Sequence, residues 1–180
     1  MKTLTLLRHA KSGWDDPVTR DFDRPLNAKG RRAAGLIGRW LRDEGFVFDH
    51  VVASPAVRVV ETLEDVSGGY NAPITPDWDR RIYLASAATL LDVVHGLPDS
   101  AASALLVGHN PGLEDLVLML VAESDGDPHR VDVEAKYPTA TVARMTFDVA
   151  SWADVAANGG RFVAFRRPRD LDPTLGPDAD

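Results

Sequence analysis

Residues 6–12 read LLRHAKS, a short apolar run that ends on an arginine and a histidine. The leucine and threonine residues at positions 4–7 are typical of a buried strand, which therefore ends at Arg8 and His9. These two basic side chains either mark the return of the chain to solvent or are carried by the strand to a binding site. The other motifs of the sequence decide between the two interpretations.

The composition is typical of one ordinary globular domain with an apolar core. The chain has 180 residues, of which 44% are hydrophobic and 26% are charged, and about 100–200 residues is the usual length of a domain. We predict one domain over residues 1–168. Residues 169–180 are an acidic, proline-containing tail with little to bury, and we expect this tail to be flexible.

The composition also excludes several functional classes. The chain contains no cysteine, so a disulfide framework, a thiol nucleophile and a thiolate metal site are impossible. The net charge of −7 argues against a nucleic-acid partner, because such proteins normally present a basic face. No apolar run approaches the roughly 18 residues of a membrane-spanning helix, and the first segment is too short and too soon charged for a signal peptide. We therefore expect a cytoplasmic protein with no membrane partner.

Strand-like and helix-like segments alternate along most of the chain. Asn27 is expected to begin the first helix and Gly45 to end it, and Ser54 is expected to cap the second helix with Pro55 at its first position. This alternation predicts an α/β fold with a mainly parallel sheet and helices on both of its faces. The predicted strands lie at residues 4–7, 51–53, 104–107, 139–149 and 161–167.

Three strand-to-helix junctions carry polar side chains suited to a site. Arg8 and His9 follow the first strand, residues 54–58 follow the second, and His109 and Asn110 follow the strand at residues 104–107. Ligands of open α/β sheets bind in the crevice outside the carboxyl ends of the strands. We therefore predict that these residues, far apart in sequence, converge there.

The converging side chains are suited to a phosphoryl group. The guanidinium groups of Arg8 and Arg58 present planar forks of donors that match phosphate oxygens, and a helix N-terminus near Ser54 also favours an anion. A neutral imidazole, from His9 or His109, can act as a nucleophile and form a covalent phosphoramidate. The arginines and a charged second histidine would stabilise the oxygens of the transferred group without a metal.

Each of these motifs also has an ordinary structural explanation. Arg8 and His9 could end a strand, Arg58 could lie on a helix surface paired with Glu61, and His109 could shape a turn. Each explanation accounts for one motif and leaves the other two unexplained, so we favour the shared site. A metal site built from the two histidines is disfavoured because the neighbouring arginines repel a cation, and we predict no metal and no cofactor.

Three segments of the chain resemble the signature blocks of the histidine phosphatase superfamily, the phosphoglycerate mutase-like proteins. These are LLRHAKS, SPAVRVVET and LVGHNPG, and the resemblance extends over residues 2–148. The RHAKS form, the DRPLNAKG segment and the short length are most similar to the SixA-type phosphohistidine phosphatase branch. The resemblance implies a three-layer α/β/α fold, with His9 as the phosphorylated nucleophile, Arg8 and Arg58 binding the phosphoryl group, and His109 completing the pocket.

One position departs from the pattern of the family. Related proteins often carry a glutamate proton donor where this chain has Leu84. A sugar or glycerate alkoxide is a poor leaving group that needs such an acid, whereas protonated phosphohistidine departs as neutral imidazole, whose conjugate acid has a pKa of about 6.5. The departure therefore favours phosphohistidine as the substrate, although Asp77, Asp79 and Glu61 are available as substitutes for the missing acid.

The sequence therefore predicts a metal-independent phosphatase that forms a phosphohistidine intermediate and hydrolyses phosphohistidine on a protein, such as a phosphorelay or carrier domain. One alternative is a phosphomonoesterase or mutase of the same superfamily that acts on a small phosphorylated metabolite. Another is a non-catalytic module that binds phosphorylated partners and needs the arginines but no nucleophile.

Overall fold

The computed structural model describes residues 1–13, 20–123 and 127–176, in which six strands form one sheet. The strand order is β3-β2-β4-β1-β5-β6. The four strands from β3 to β1 pair in parallel, and the two late strands β5 and β6 pair antiparallel. The strands are β1 Lys2–Arg8, β2 His50–Ala53, β3 Asp77–Trp78, β4 Ser103–Gly108, β5 Val142–Phe147 and β6 Gly160–Arg166.

Helices cover both faces of this sheet, as the alternating pattern predicts. On one face, α1 and α2 pack over a core that includes Ile37, Leu63 and Leu105. On the other face, α3 and α4 pack over a second core that includes Leu106 and Leu116. The α/β fold with helices on both faces is therefore confirmed. The helices are α1 Ala28–Asp43, α2 Val57–Tyr70, α3 Ala87–His95, α4 Gly112–Leu120, α5 Pro128–Ala135 and α6 Pro168–Leu171.

The register of the parallel strands aligns the three junctions at one edge of the sheet. Arg8 at the end of β1 is level with Gly108 at the end of β4, and Ala53 at the end of β2 is level with Val107. Because parallel strands point the same way, the residues that follow all three strands emerge side by side. The predicted convergence of the junctions is confirmed.

The first helix begins where the sequence predicts and packs tightly on the junction after β1. The side chain of Asn27 caps α1 by accepting a hydrogen bond from the Gly30 N–H, and Gly45 follows the helix with a φ of 72°. A Cβ atom at Gly30 would lie 2.1 Å from the carbonyl oxygen of Lys11. Only glycine therefore allows α1 to approach the segment that carries His9 this closely.

The predicted capping role of Ser54 is wrong. The second helix begins at Val57, its N-cap is Ala56, and no side chain caps it. The Ser54 hydroxyl lies two residues before the cap, where it accepts a long hydrogen bond of 3.3 Å from the Ala56 N–H and contacts His109. The side chain of Ser54 therefore links the segment after β2 to His109, which follows β4, and does not cap α2.

The first part of the segment predicted as a flexible tail forms regular structure on the domain. The residues after β6 form α6 and a 3-10 turn at Pro173–Leu175, and the side chain of Leu175 packs into the core beneath α1 and α2. The Lys29 ammonium donates to the Gly176 carbonyl oxygen at 2.7 Å. Residues 177–180 lie outside the described residues. Among the residues described, no helix has both the length and the apolar character needed to cross a membrane.

Candidate active site

The main chain around His9 is held on both sides by neighbouring elements. The His9 N–H donates to the Gly108 carbonyl at 3.1 Å, which continues the β1–β4 ladder. The Ala140 N–H bonds to the His9 carbonyl at 3.0 Å, and the Ala10 N–H bonds to the Thr62 hydroxyl at 2.9 Å. These bonds to three separate segments place the imidazole of His9 in a defined position.

The imidazole of His9 is buried and has a defined tautomer. Its Nδ1 lies 2.7 Å from the Ala10 carbonyl oxygen, which can only accept, so Nδ1 carries the proton and Nε2 carries the lone pair. The side chain is only 7% exposed. Burial, reinforced by the nearby His109 and Arg8, lowers the pKa of His9 from 6.5 to about 3. His9 therefore has an unprotonated Nε2 throughout the neutral pH range.

The second histidine of the predicted site faces the first. The ring centroids of His9 and His109 are 5.3 Å apart, and the ring of Tyr83 contacts His109 edge-on at 5.4 Å. His109 Nε2 lies 2.8 Å from the Ser54 hydroxyl, whereas no described residue forms a hydrogen bond with its buried Nδ1. Burial and the charge of Arg58 lower the pKa of His109 to about 3. His109 is therefore neutral in the free site, and an arriving anion would raise this pKa toward the charged state in which the ring would stabilise phosphoryl oxygens.

The two arginines of the predicted site, Arg8 and Arg58, come from different elements of the fold. The Arg8 Nη1 donates to the Tyr137 carbonyl oxygen at 3.0 Å, and the Asn110 amide donates to the same oxygen at 2.9 Å. Arg58, on the first turn of α2, is only 2% exposed and contacts Asp21 through both terminal nitrogens. The alternative pairing of Arg58 with Glu61 is wrong, because that carboxylate accepts hydrogen bonds from elsewhere in the chain.

Asp21 is a residue of the site that the sequence analysis missed. Its Oδ2 accepts hydrogen bonds from Arg58 at 3.0 Å and from the Tyr83 hydroxyl at 2.7 Å, and its Oδ1 accepts from Arg24 at 3.0 Å. Burial opposes ionisation of Asp21, but the bonds from Tyr83 and Arg24 and the charge of Arg58 outweigh it and lower the pKa to about 2. The only local signal was the position of Asp21 three residues before Arg24.

A cleft of about 370 Å³ joins these residues, and all four predicted site residues line it. Leu84 lies at its rim with 57% of its surface exposed. The three suggested substitutes for a glutamate acid, Asp77, Asp79 and Glu61, do not line the cleft. Trp14, which the sequence suggested for the pocket mouth, lies outside the described residues. The lining residues are Arg8, His9, Lys11, Ser12, Asp21, Arg24, Arg58, Leu84, His109, Asn110 and Thr139.

We name this candidate active site the catalytic cleft. Its charges and its buried donors suit an anion. Three of its buried nitrogens, Arg8 Nε, Arg58 Nε and His109 Nδ1, have no hydrogen-bond partner among the residues that the structure describes. Buried polar groups are normally paired, so three together mark a place where acceptor oxygens from a ligand belong. Among the described lining residues, four side chains are cationic and one is a carboxylate. Within the described part of the chain, no group of three or more His, Asp or Glu side chains is arranged to hold a metal ion.

The arrangement is chemically capable of covalent phosphoryl transfer. An unprotonated Nε2 on His9 can attack phosphorus, while the Ala10 carbonyl holds the proton at Nδ1 and stabilises the positive charge that develops on the ring. Arg8 and Arg58 supply charge to the phosphoryl oxygens at no cost in reorganisation, because their positions are already set. A pocket at the carboxyl ends of the strands places this chain in the class of α/β proteins whose ligand site lies at this edge of the sheet.

Comparison with known proteins identifies the family to which this chain belongs. The sequence matches the model of the histidine phosphatase superfamily (branch 1) over residues 4–80. It is 34% identical over 164 residues to an uncharacterized protein of Mycobacterium tuberculosis, and the match covers 91% of this chain and 100% of that protein. The chain belongs to the histidine phosphatase superfamily.

Solved structures place the chain near the SixA-type branch of that superfamily. A candidate phosphohistidine phosphatase SixA from Nakamurella multipartitia is 30% identical, with a TM-score of 0.79 and coverage of 93% of this chain and 96% of that one. The corresponding candidate SixA from Agrobacterium tumefaciens is 27% identical, with a TM-score of 0.75 and coverage of 93% and 98%. A protein histidine phosphatase SixA complexed with tungstate shares the fold, at 22% identity and a TM-score of 0.76 over 94% of this chain and 99% of that one. The resemblance to the SixA type that the motifs predict is confirmed.

Proposed function

We propose that this protein is a metal-independent phosphatase that hydrolyses phosphohistidine on a protein through a phosphorylated His9. The observation that carries the proposal is the state of His9: buried, neutral, with its Nε2 lone pair available beside His109 and two arginines. The SixA-type structural relatives, two of them described as candidate phosphohistidine phosphatases, support the same reaction.

In the first step, Nε2 of His9 attacks phosphorus and forms a P–N bond. The P–N bond of the substrate breaks, and its electron pair returns to the ring nitrogen of the substrate histidine, which leaves as neutral imidazole if its other nitrogen carries a proton. Arg8 and Arg58 stabilise the charge on the transferred oxygens. When the Ser54 hydroxyl donates to His109 Nε2, the proton of His109 lies on Nδ1, and Nδ1 offers one more donor to a phosphoryl oxygen.

In the second step, water adds to phosphorus and the P–N bond to His9 breaks. The electron pair of that bond returns to Nε2, both protons of the water remain with the phosphate, and dihydrogen phosphate leaves. The Ala10 carbonyl keeps Nδ1 protonated throughout, so His9 departs as a neutral ring and needs no separate acid. The cycle ends with His9 in the state in which it began.

The protonation of the catalytic cleft favours a P–N substrate over an alkyl phosphomonoester. The carboxylate in the described lining of this cleft is Asp21, whose pKa of about 2 keeps it ionised and unable to donate a proton at neutral pH. The rim position occupied by Leu84 is apolar. An alkoxide leaving group needs a general acid that contributes about 10²–10⁴ in rate, whereas an imidazole leaving group does not.

Hydrolysis assays with two substrates test this proposal. The purified protein is given a phosphohistidine peptide and, separately, an alkyl phosphomonoester such as glycerol phosphate, each with and without EDTA. We expect phosphate release from the peptide that EDTA leaves unchanged, and a kcat/KM for the ester at least about 10² lower. Loss of peptide turnover on chelation, or faster turnover of the ester, overturns the proposal.

The volume of the catalytic cleft supports a small phosphorylated metabolite as a second candidate substrate. At about 370 Å³ the cleft is within the range of pockets that bind small molecules. The same assay separates the two candidates, because a metabolite phosphatase would prefer the ester.

A further inference from the structure

A second cleft with strongly basic walls adjoins the catalytic cleft. It has a volume of about 400 Å³, and twelve of the residues that the structure describes line it, six of which are lysine or arginine. None of the twelve is acidic, in a chain whose net charge is −7. This concentration of positive charge runs against the overall charge of the protein, and we name it the basic cleft. Its cationic residues are Arg8, Lys11, Lys29, Lys136, Arg167 and Arg169.

The basic cleft and the catalytic cleft share part of their walls. Arg8, Lys11 and Thr139 line both of them. The buried Nε of Arg8 has no hydrogen-bond partner in the described part of the chain, so Arg8 lies where a phosphoryl group would bind. A group held in the basic cleft would therefore be a direct neighbour of the phosphoryl group on His9.

The cations of the basic cleft come from several elements of the fold. Lys29 lies on the first turn of α1, Lys136 directly follows α5, and Arg169 lies in α6. Arg167 is paired with Asp170 at 2.8 Å, which neutralises part of the charge. Because these cations are spread along the basic cleft, a single small anion can contact only some of them. A chain segment with several acidic side chains can pair with more of them.

The apolar part of the lining also suits a peptide segment. Ala33, Pro138, Pro168 and Leu175 line the basic cleft between the basic side chains. Such a surface can pack against the aliphatic stems of glutamates while their carboxylates reach the cations.

We propose that the basic cleft binds an acidic segment next to the phosphohistidine of the substrate protein, so that acidic flanks mark the preferred substrates. This inference rests on the proposed function and adds the substrate class to it. Long-range attraction between opposite charges also accelerates the encounter and weakens with added salt.

Two phosphohistidine peptides that differ only in their flanking residues test this inference. One carries glutamates around the phosphohistidine, and the other carries glutamines. With two ion pairs of about 0.5 kcal/mol each, we expect kcat/KM to be about fivefold higher for the glutamate peptide at low ionic strength. We expect this preference to shrink as salt is added.

Reversing the charge of the basic cleft tests the inference more directly than the comparison of peptides with the wild type alone. The double variant Lys136→Glu/Arg169→Glu is expected to invert the preference, so that a lysine-flanked peptide is hydrolysed faster than the glutamate-flanked one. The double variant Arg39→Glu/Arg161→Glu reverses the same amount of charge at two exposed arginines that line neither cleft, so it is the matched control and keeps the wild-type preference. Thermal unfolding monitored by circular dichroism verifies that each variant is folded, and the peptide ratio of the wild type tests the inference independently of any variant.

The outcomes separate this inference from the function on which it rests. Equal hydrolysis of both peptides by the wild type overturns the inference and leaves the phosphohistidine phosphatase in place. Hydrolysis of neither peptide overturns both. Stronger inhibition by inorganic tripolyphosphate than by orthophosphate, without any peptide preference, assigns the basic cleft to small polyphosphates and also overturns the inference.

Discussion

Asp21 holds the guanidinium of Arg58 at two points. Its main-chain carbonyl oxygen accepts from Arg58 Nη1 at 2.7 Å, and its Oδ2 accepts from Nη2 at 3.0 Å. The Tyr83 hydroxyl donates to the same Oδ2 at 2.7 Å and so fixes the carboxylate from the other side. The position of Arg58, which we propose binds the phosphoryl group, thus depends on a residue 37 positions away in the sequence.

Removing the charge of Asp21 should weaken catalysis without abolishing it. Asp21→Asn keeps the shape but replaces charge-assisted bonds to Arg58 with weaker neutral ones, so Arg58 is less well positioned. We expect kcat to fall about tenfold, equivalent to about 1.4 kcal/mol of lost transition-state stabilisation. Steady-state kinetics with the phosphohistidine peptide give this value. Tyr83→Phe removes one bond to the carboxylate and should cost less, so a larger loss in Tyr83→Phe than in Asp21→Asn would contradict the assigned order.

Removal of His9 should abolish the covalent intermediate. Without Nε2 there is no nucleophile, and we expect His9→Ala to lower kcat by at least about 10³. In the wild type, a rapid quench at alkaline pH followed by mass spectrometry should find phosphate on His9. His50→Ala is the matched control, since His50 contacts Asp77 and does not line the catalytic cleft. A non-catalytic phosphate-binding module would show no phosphate on His9 in any experiment.

The fork geometry of Arg58 should matter as much as its charge. Lysine keeps the charge but cannot present two parallel donors to an oxyanion. We therefore expect Arg58→Lys to lose about 10²–10³ in kcat/KM, by analogy with the loss of one oxyanion donor. The inhibition constant of orthophosphate should rise in parallel. Near wild-type activity in Arg58→Lys would show that Arg58 acts as a point charge.

An acid at position 84 should widen the range of substrates. Leu84 lies at the rim of the catalytic cleft with a φ of 50°, and glutamate has the same backbone cost in this conformation as leucine. We expect Leu84→Glu to raise kcat/KM for an alkyl phosphomonoester by about 10² while changing phosphohistidine hydrolysis little. Leu84→Gln is the control that lacks a proton to donate. An equal gain in both variants would attribute the effect to polarity and not to acid catalysis.

The two buried histidines should make the protein less stable in acid. Both have folded-state pKa values of about 3, below the ordinary 6.5. Between about pH 6.5 and 3 the unfolded chain binds more protons than the folded one, so the free energy of unfolding falls as the pH falls. The expected slope is about 1 kcal/mol per pH unit for each histidine. Urea unfolding of the wild type and of His109→Gln at several pH values measures it, and an unchanged slope in the variant would exclude His109 as a source.

Local patterns of the sequence were sufficient for every described strand except the two-residue β3, for most helices, and for the prediction that Arg8, His9, Arg58 and His109 lie in one cleft. Arg8 and His9 follow a run of buried residues, and His109 follows another. Parallel strands place their carboxyl ends at one edge of the sheet. The residues that follow these strands are therefore predicted to converge there. Ser54 shows where local rules fail, because its hydroxyl contacts His109 from a distant strand and does not cap the helix beside it.

The sequence by itself determined the α/β alternation, and with it the meeting of Arg8, His9, Arg58 and His109 at one edge of the sheet, because strand and helix periodicity are properties of short segments. Only the tertiary structure decided that Asp21 holds Arg58, that the Ala10 carbonyl selects the tautomer of His9, and that burial keeps both histidines neutral. It also decided that cations from several separate elements surround one basic cleft. These features depend on distances and burial between segments far apart in the chain, which leave no periodic signal in the sequence.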